Sequence, residues 1–568
     1  MTHAGPEKVR TGVWKYLNMN LVGVLFLIGA FGVSIARVIS IQKELFDPSK
    51  KILRISHWQL ELGYRDAMQA VIDDYVKMRK ERFGEDVSVI QIPVTERVYG
   101  QLLNTHLLSG TAPDIAELGF AKLASDDQYL ARFFQPLTEI INDPNPYNDP
   151  KYWPNLSEAD KAKLEKIKNL PWRETFIDGM RGGYREQLQD YFSAPTSMFT
   201  LRLFYNKDLL TKAGFPNGPR TMKELFDACR EISQMKDKKG KNLIPISGSK
   251  YNVSPFKERY SISFTAEFEP ELDTNLDGSI GPNESYIGFL KGITTMQTPA
   301  IRAEYECMRL ICDQFSPGFM GQDRMQASFD FVMGKAAMIA SGSWDAMSLF
   351  EQSQFEVGIV DFPLPAPGER WSEYVAGRCN EAGAGGGGLY GLFKFGKNKE
   401  LAIDFLRYIT SQPANQLLNQ KADWLPVVLG ALPSRRMMPF VPDPKGFNSR
   451  VNFEFGNYVQ AIYSGQEARF LQGEISYDEF AEQVAKALLN KYRGGDYAWG
   501  IEYDNSWRWC RNQERVLSVQ VIREFMEPDA KDAYDNYRRA FLQQIRANNG
   551  QETRHRFEQV RQRPIPEI

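Results

Sequence analysis

The stretch Ser193-Ala-Pro-Thr-Ser-Met-Phe-Thr-Leu-Arg-Leu-Phe-Tyr-Asn-Lys-Asp-Leu-Leu210 decides the fold. Pro195 and two serines resist a regular ladder, so it opens as a turn. Met198 to Tyr205 is a short apolar and aromatic run that predicts a buried strand. Asn206-Lys207-Asp208 stops the run, and a helix-like segment follows. A buried strand in mid-chain, entered from a loop, is what a crossing from one lobe to another requires.

At 568 residues the chain is too long for one ordinary domain; units of ~100–200 residues predict two to four. A net charge of −2 supplies no basic field for nucleic acid. The five cysteines (Cys229, Cys307, Cys312, Cys379, Cys510) are odd in number and contain no Cys-x-x-Cys. That predicts neither a zinc site nor a disulfide framework, and each reads as a buried small hydrophobe.

Residues 1–15 carry Lys8, Arg10 and Lys15 and read as a cytoplasmic N-terminus. The uncharged run Tyr16–Ala36 has 21 residues and is closed by Arg37. About 20 residues cross a bilayer as a helix. Its length and Arg37 favour an uncleaved transmembrane anchor over a signal cleaved after Ser34-Ile35-Ala36. Residues 16–40 are therefore the anchor or signal and 41–51 a tether, with the bulk of the chain exported. No cysteine lies near for lipid attachment.

Beyond the tether, Ile52–Ser56, Val87–Ile92 and Thr111–Leu118 predict strands. Between them lie helical faces, Ala67, Val71, Ile72, Tyr75 and Met78, then Tyr99, Leu102, Leu103, His106 and Leu107. This alternation predicts a parallel sheet with helices on both faces, binding ligands at the carboxyl ends of its strands. Residues 136–190 read as a loop-rich excursion. Thr221-Met-Lys-Glu224 is a capping box, Gly334–Asp345 reads as a turn, a short buried strand and a turn, and Val357–Asp361 reads as a strand. Gly383–Gly388 matches G-x-G-x-x-G, but a strand follows where a dinucleotide site needs a helix; it suits a second crossing between lobes.

Asp273-Thr-Asn-Leu-Asp-Gly-Ser-Ile-Gly-Pro-Asn-Glu284 fits D-x-[DN]-x-[DN]-G-x5-E at every defined position. Asp273, Asn275, Asp277 and Glu284 would supply side-chain oxygens, and Ser279 its carbonyl, to a structural calcium ion. Gly278 permits the tight turn. No H-E-x-x-H, G-x-S-x-G or Walker loop occurs.

Phe204–Leu210, Pro219–Leu225, Met333–Met338 with Gly342-Ser-Trp344, Asn398–Leu406 and Trp424-Leu-Pro426, in this order, resemble the solute-binding proteins of ATP-binding-cassette (ABC) importers. Within them, the resemblance is specifically to the large sugar-binding group that includes maltose-binding protein. The resemblance implies an α/β, two-lobed Venus-flytrap fold hinged by crossing segments. Lobe 1 would take residues 52–196 and 385–440, and lobe 2 residues 197–384 and 441–500. Residues 501–568, read as a helical extension, lie outside it. It also implies a carbohydrate ligand and importer permease subunits as partners, and no enzymatic activity. A sugar offers apolar C–H faces to aromatic rings and hydroxyl edges to polar groups. On that basis the ligand residues are Trp58, Glu117, Phe199, Thr200, Trp344, Asp345 and Trp424. Two other readings stay open: an exported glycosidase using Glu117 and Asp345, and a sensor subunit signalling through the C-terminal helices.

Overall fold

The computed structural model describes residues 51–118, 127–185, 190–237, 240–273, 280–381 and 386–500, with scattered positions elsewhere. Most of the predicted span Tyr16–Ala36, most of the C-terminal extension, and Asn275, Asp277 and Ser279 lie outside the described residues. Among the described residues no helix is long and apolar enough to cross a membrane.

Two sheets form. In the first, strands β1 (Lys51–His57), β2 (Val87–Pro93) and β3 (Ile115–Glu117) join β4 (Ala194–Ser197) and β9 (Gly387–Leu392) in the order β2-β1-β3-β9-β4. In the second, β5 (Leu201–Asn206), β6 (Ile244–Ser247), β7 (Ala336–Gly342) and β8 (Val357–Val360) take the order β8-β5-β7-β6. β1 runs parallel to β2 and β3, whereas β9 is antiparallel to both of its neighbours. The expected parallel sheet is thus mixed, because β9 enters from the other lobe and not through a helix crossover.

The opening stretch behaves differently from its reading in one respect. Ala194–Ser197 is a strand, with Leu389 opposite Pro195, and not a turn. It lies at the sheet edge, where a missing N–H costs no ladder bond. The apolar run then divides: the chain leaves the first sheet at Ser197 and enters the second at Leu201. Met198, Phe199 and Thr200 are the crossing. The predicted strand Thr111–Leu118 shortens to Ile115–Glu117.

The helices follow the apolar spacings. α1 (Tyr64–Phe83) buries Ala67, Val71, Ile72, Tyr75 and Met78 against the first sheet and ends on Gly84 in the left-handed region, where a side chain would be strained. α2 (Glu96–Ser109) buries Tyr99, Leu103 and Leu107, while Leu102 and His106 turn outward. α3 (Met222–Gln234) opens on Thr221, whose hydroxyl accepts the Glu224 N–H at 3.3 Å. α4 (Lys250–Thr265) and α6 (Arg324–Val332) cover the second sheet, and α5 (Pro299–Cys312) packs on α4. α7 (Lys399–Ile409) and α8 (Gln412–Ala422) return to the first, with α8 against α1. α9 (Asn457–Leu471) and α10 (Tyr477–Leu488) pack on α5, where Phe470 and Phe480 stack at 5.6 Å.

Each lobe has its own apolar core. The lobe 1 core does not stop at the lobe boundary: Tyr64, Met198 and Trp424 join Phe204, Ile339 and Leu349 in one cluster. Burial at the crossing therefore couples the lobes where the chain passes between them.

Candidate functional site

The carboxyl ends of β1 and β3 meet where lobe 1 faces lobe 2. β1 delivers His57, Trp58 and Gln59, and β3 delivers Glu117. Glu117 is fully buried; its carboxyl accepts the Trp58 N–H at 3.3 Å and a bond from Gln59 Nε2. Burial pushes Glu117 up to about 8, outweighing both bonds. It is mostly a neutral acid at pH 7, able to donate as well as accept. The half-buried Trp58 ring sits edge-on to Tyr99 at 5.1 Å. His57 is buried and pulled down to about 4 by burial, against a bond from Nε2 to Gln91 at 2.9 Å. A neutral imidazole packed on Tyr64 is a structural group, not a general base.

The crossing carries a row of rings from one lobe to the other. Trp424 lies tilted on Tyr64 at 4.4 Å, Phe199 meets Trp424 edge-on at 4.8 Å, and the other side of Phe199 meets Trp344 at 5.4 Å. Trp424 is 1% exposed, so it is the floor beneath Phe199. Trp344 is half-buried, and its Nε1 is shielded from solvent with no hydrogen-bond partner among the described residues. A buried N–H left unpaired is costly, and a ligand oxygen would satisfy it. Gly342 makes room for this indole, since a Cβ there would overlap the ring.

Thr200 turns inward. Its hydroxyl donates to the Phe440 carbonyl at 2.8 Å and its N–H to Ser343 Oγ at 3.2 Å. With nothing of it exposed, it fastens the crossing and does not face the cleft as the sequence predicts.

Asp345 follows β7 and accepts from Ser341 Oγ at 2.5 Å. Arg324, the first residue of α6, stands 3.7 Å from Asp345 and 3.3 Å from Glu61 of lobe 1. Burial raises Glu61 above the ordinary carboxylate range. Sequence reasoning missed Gln59, Glu61, Tyr64 and Arg324. Gln59 and Glu61 lie within three positions of Trp58, in the loop that leaves β1, and that proximity was a usable signal.

The acidic loop of lobe 2 is described at its ends. Asp273 Oδ2 accepts the Gly278 N–H at 2.9 Å, and Gly278 has a φ of 78°. Glu284 is buried and its Oε2 accepts the Gly281 N–H at 2.8 Å, capping the helix Pro282–Leu290. Among the described residues no group of three or more His, Cys, Asp or Glu side chains is placed to hold a metal.

Residues 141–437 match the family model described as bacterial extracellular solute-binding protein. The galactooligosaccharide-binding protein of Bacillus subtilis (strain 168) is 23% identical over 248 residues, 42% of this chain and 50% of that protein. The chain thus spans half the length of that curated relative. A chitin oligosaccharide binding protein superposes with a TM-score of 0.52 at 17% identity, covering 77% of this chain and 98% of that one. The GacH receptor of Streptomyces glaucescens GLA.O, solved unliganded and with acarbose, gives 0.51 at 18% identity over 77% of this chain and 97% of its own. At such identities the likeness is one of fold. The family model spans more than half of the chain, and the chain belongs to the bacterial extracellular solute-binding proteins.

Proposed function

We propose that this protein is exported and membrane-tethered, captures a carbohydrate between its two lobes and delivers it to an ABC importer. The observation that carries this is the pair of partly exposed rings Phe199 and Trp344 at the crossing, resting on the buried Trp424, with Trp58 over the buried Glu117 and Gln59 on one lobe and Asp345 and Arg324 on the other. Stacked C–H faces and hydrogen-bonded hydroxyl edges are what such a set accommodates. The sugar-binding relatives support the ligand class, and the apolar run Tyr16–Ala36 supports the tether. Closure would be a hinge motion about residues 198–200 and the other crossings.

A panel of oligosaccharides incubated with the protein tests this. The expected result is a raised Tm with the sugar recovered intact; cleavage products would instead favour the glycosidase reading with Glu117 and Asp345. For the sugar that binds, Trp344→Ala is expected to cost about 2 kcal/mol, roughly 30-fold in Kd by calorimetry. An unchanged Kd would remove Trp344 from the site.

The reading includes a calcium staple in lobe 2. Asp273, Asn275, Asp277, Ser279 and Glu284 carry the full motif, and the left-handed Gly278 closing on Asp273 suits its tight turn. The ion would supply cross-linking between the loop and the helix Pro282–Leu290 and no chemistry. Calcium at about 100 times its Kd is expected to stabilise the fold by about 2.7 kcal/mol, read as a rise in Tm that EDTA reverses. No rise at millimolar calcium would eliminate the staple.

A further inference from the structure

We infer that Arg324 is a positioning residue that latches the two lobes together before any ligand arrives. It leaves α6 on lobe 2 and reaches Glu61 in the loop after β1 on lobe 1, at 3.3 Å. Asp345, on its own lobe, holds the guanidinium from the other side at 3.7 Å. The Glu61 and Asp345 side chains are 16% and 13% exposed and that of Arg324 36%, so the cluster is partly buried and still within reach of salt. Two carboxylates thus share one guanidinium, one from each lobe.

Two independent contacts place the lobes together at the same point. Arg97, in the first turn of α2, meets Asp323, the cap of α6, at 3.2 Å. Gly63, next to the Glu61 loop, has a φ of 86°, and a Cβ on it would stand 3.4 Å from Met347 Sδ on the lobe 2 helix Ala346–Gln352. The loop carrying Glu61 therefore lies directly on lobe 2. The latch rests on the two-lobed fold and these contacts, and not on what the cleft binds.

Its consequence is a ligand-free protein with a substantial closed population, which salt and one substitution shift toward open. Hydrogen exchange on the full chain without ligand tests this, at low and at 0.5 M-range NaCl, following residues 61–67 and 341–347. Arg324→Gln is expected to speed exchange in both segments by about three- to tenfold, and to raise the radius of gyration in solution scattering. Arg324→Lys should recover much of the protection. Lys486→Ala, which removes a pair confined to α10, should change neither segment. Exchange in Arg324→Gln equal to wild type, or faster uniformly along the whole chain, would overturn the latch. Because no ligand enters the measurement, its failure is separable from failure of the carbohydrate reading.

Discussion

Replacing Glu381 by Gln is expected to cost about 3–5 kcal/mol of stability. Glu381 is 6% exposed and stands on the second crossing, between β8 and β9. Its carboxylate takes both terminal nitrogens of Arg202 on β5, one of them at 3.0 Å, and Arg259 Nη2 on α4 at 2.9 Å. It also accepts the Asp443 N–H at 3.0 Å, from the segment that returns the chain from α8 to α9. One side chain on the crossing that leaves lobe 2 thus ties the strand that enters it, the helix α4 and the segment that comes back. Gln keeps the shape but removes the negative charge, leaving two guanidinium groups buried without a counter-ion. Breaking a buried pair in this way costs more than the pair contributes, because the desolvation penalty stays.

Thermal unfolding of the full chain measures it, with a fall in Tm of roughly 6–20 °C expected for a lobe-sized unit. A second variant separates charge from packing. Replacing Arg202, Arg259 and Glu381 together by Met, Met and Leu removes every charge of the cluster and should recover much of the loss. A fall in Tm below about 2 °C for Glu381→Gln would mean that water already shares the cluster.

Much of the fold was legible because it rests on local patterns. The apolar run stopped by Asn206-Lys207-Asp208 announced a strand and a helix-like segment after it; the structure adds that Asn206 caps that helix by accepting the Leu209 N–H at 3.1 Å. Ala194–Ser197 was misread because Pro195 forbids a central strand but not an edge one, and edge position is a property of the assembled sheet. In the cleft, Trp58 and Glu117 could be found as residues at strand ends, and their mutual contact follows from the adjacency of β1 and β3. Arg324 and Glu61 could not be paired in advance. They lie 263 positions apart and share no period, spacing or motif. The same holds for Glu381, whose partners are 179 and 122 positions away. Charge pairs between segments distant in the chain are fixed by tertiary approach, which periodicity does not encode.

Stability is expected to fall as pH rises from about 6.5 to about 8, opposite to the usual behaviour of paired carboxylates. Glu117 and Glu304 are both buried, and burial pushes each up to about 8. In the unfolded chain they lose their protons near 4.5, the ordinary glutamate value. Between those limits the folded state binds more protons than the unfolded one, so raising the pH favours unfolding. The contribution is fully present below about 4.5 and is lost progressively up to about 8. His57 works the other way. Held at about 4 by burial against an ordinary 6.5, it adds stability as pH rises through that interval and none beyond it. Above pH 6.5 the two buried carboxyls act unopposed by His57, each with a slope of about 1.4 kcal/mol per pH unit until it ionises. Glu117→Gln keeps a neutral group against Gln59 and Trp58 and removes one of the two slopes. Its Tm should therefore exceed that of wild type at pH 8 and approach it near pH 5. Identical Tm profiles for the two proteins across this range would show that Glu117 is already ionised at neutral pH, and that the cleft presents a carboxylate where a neutral acid is expected.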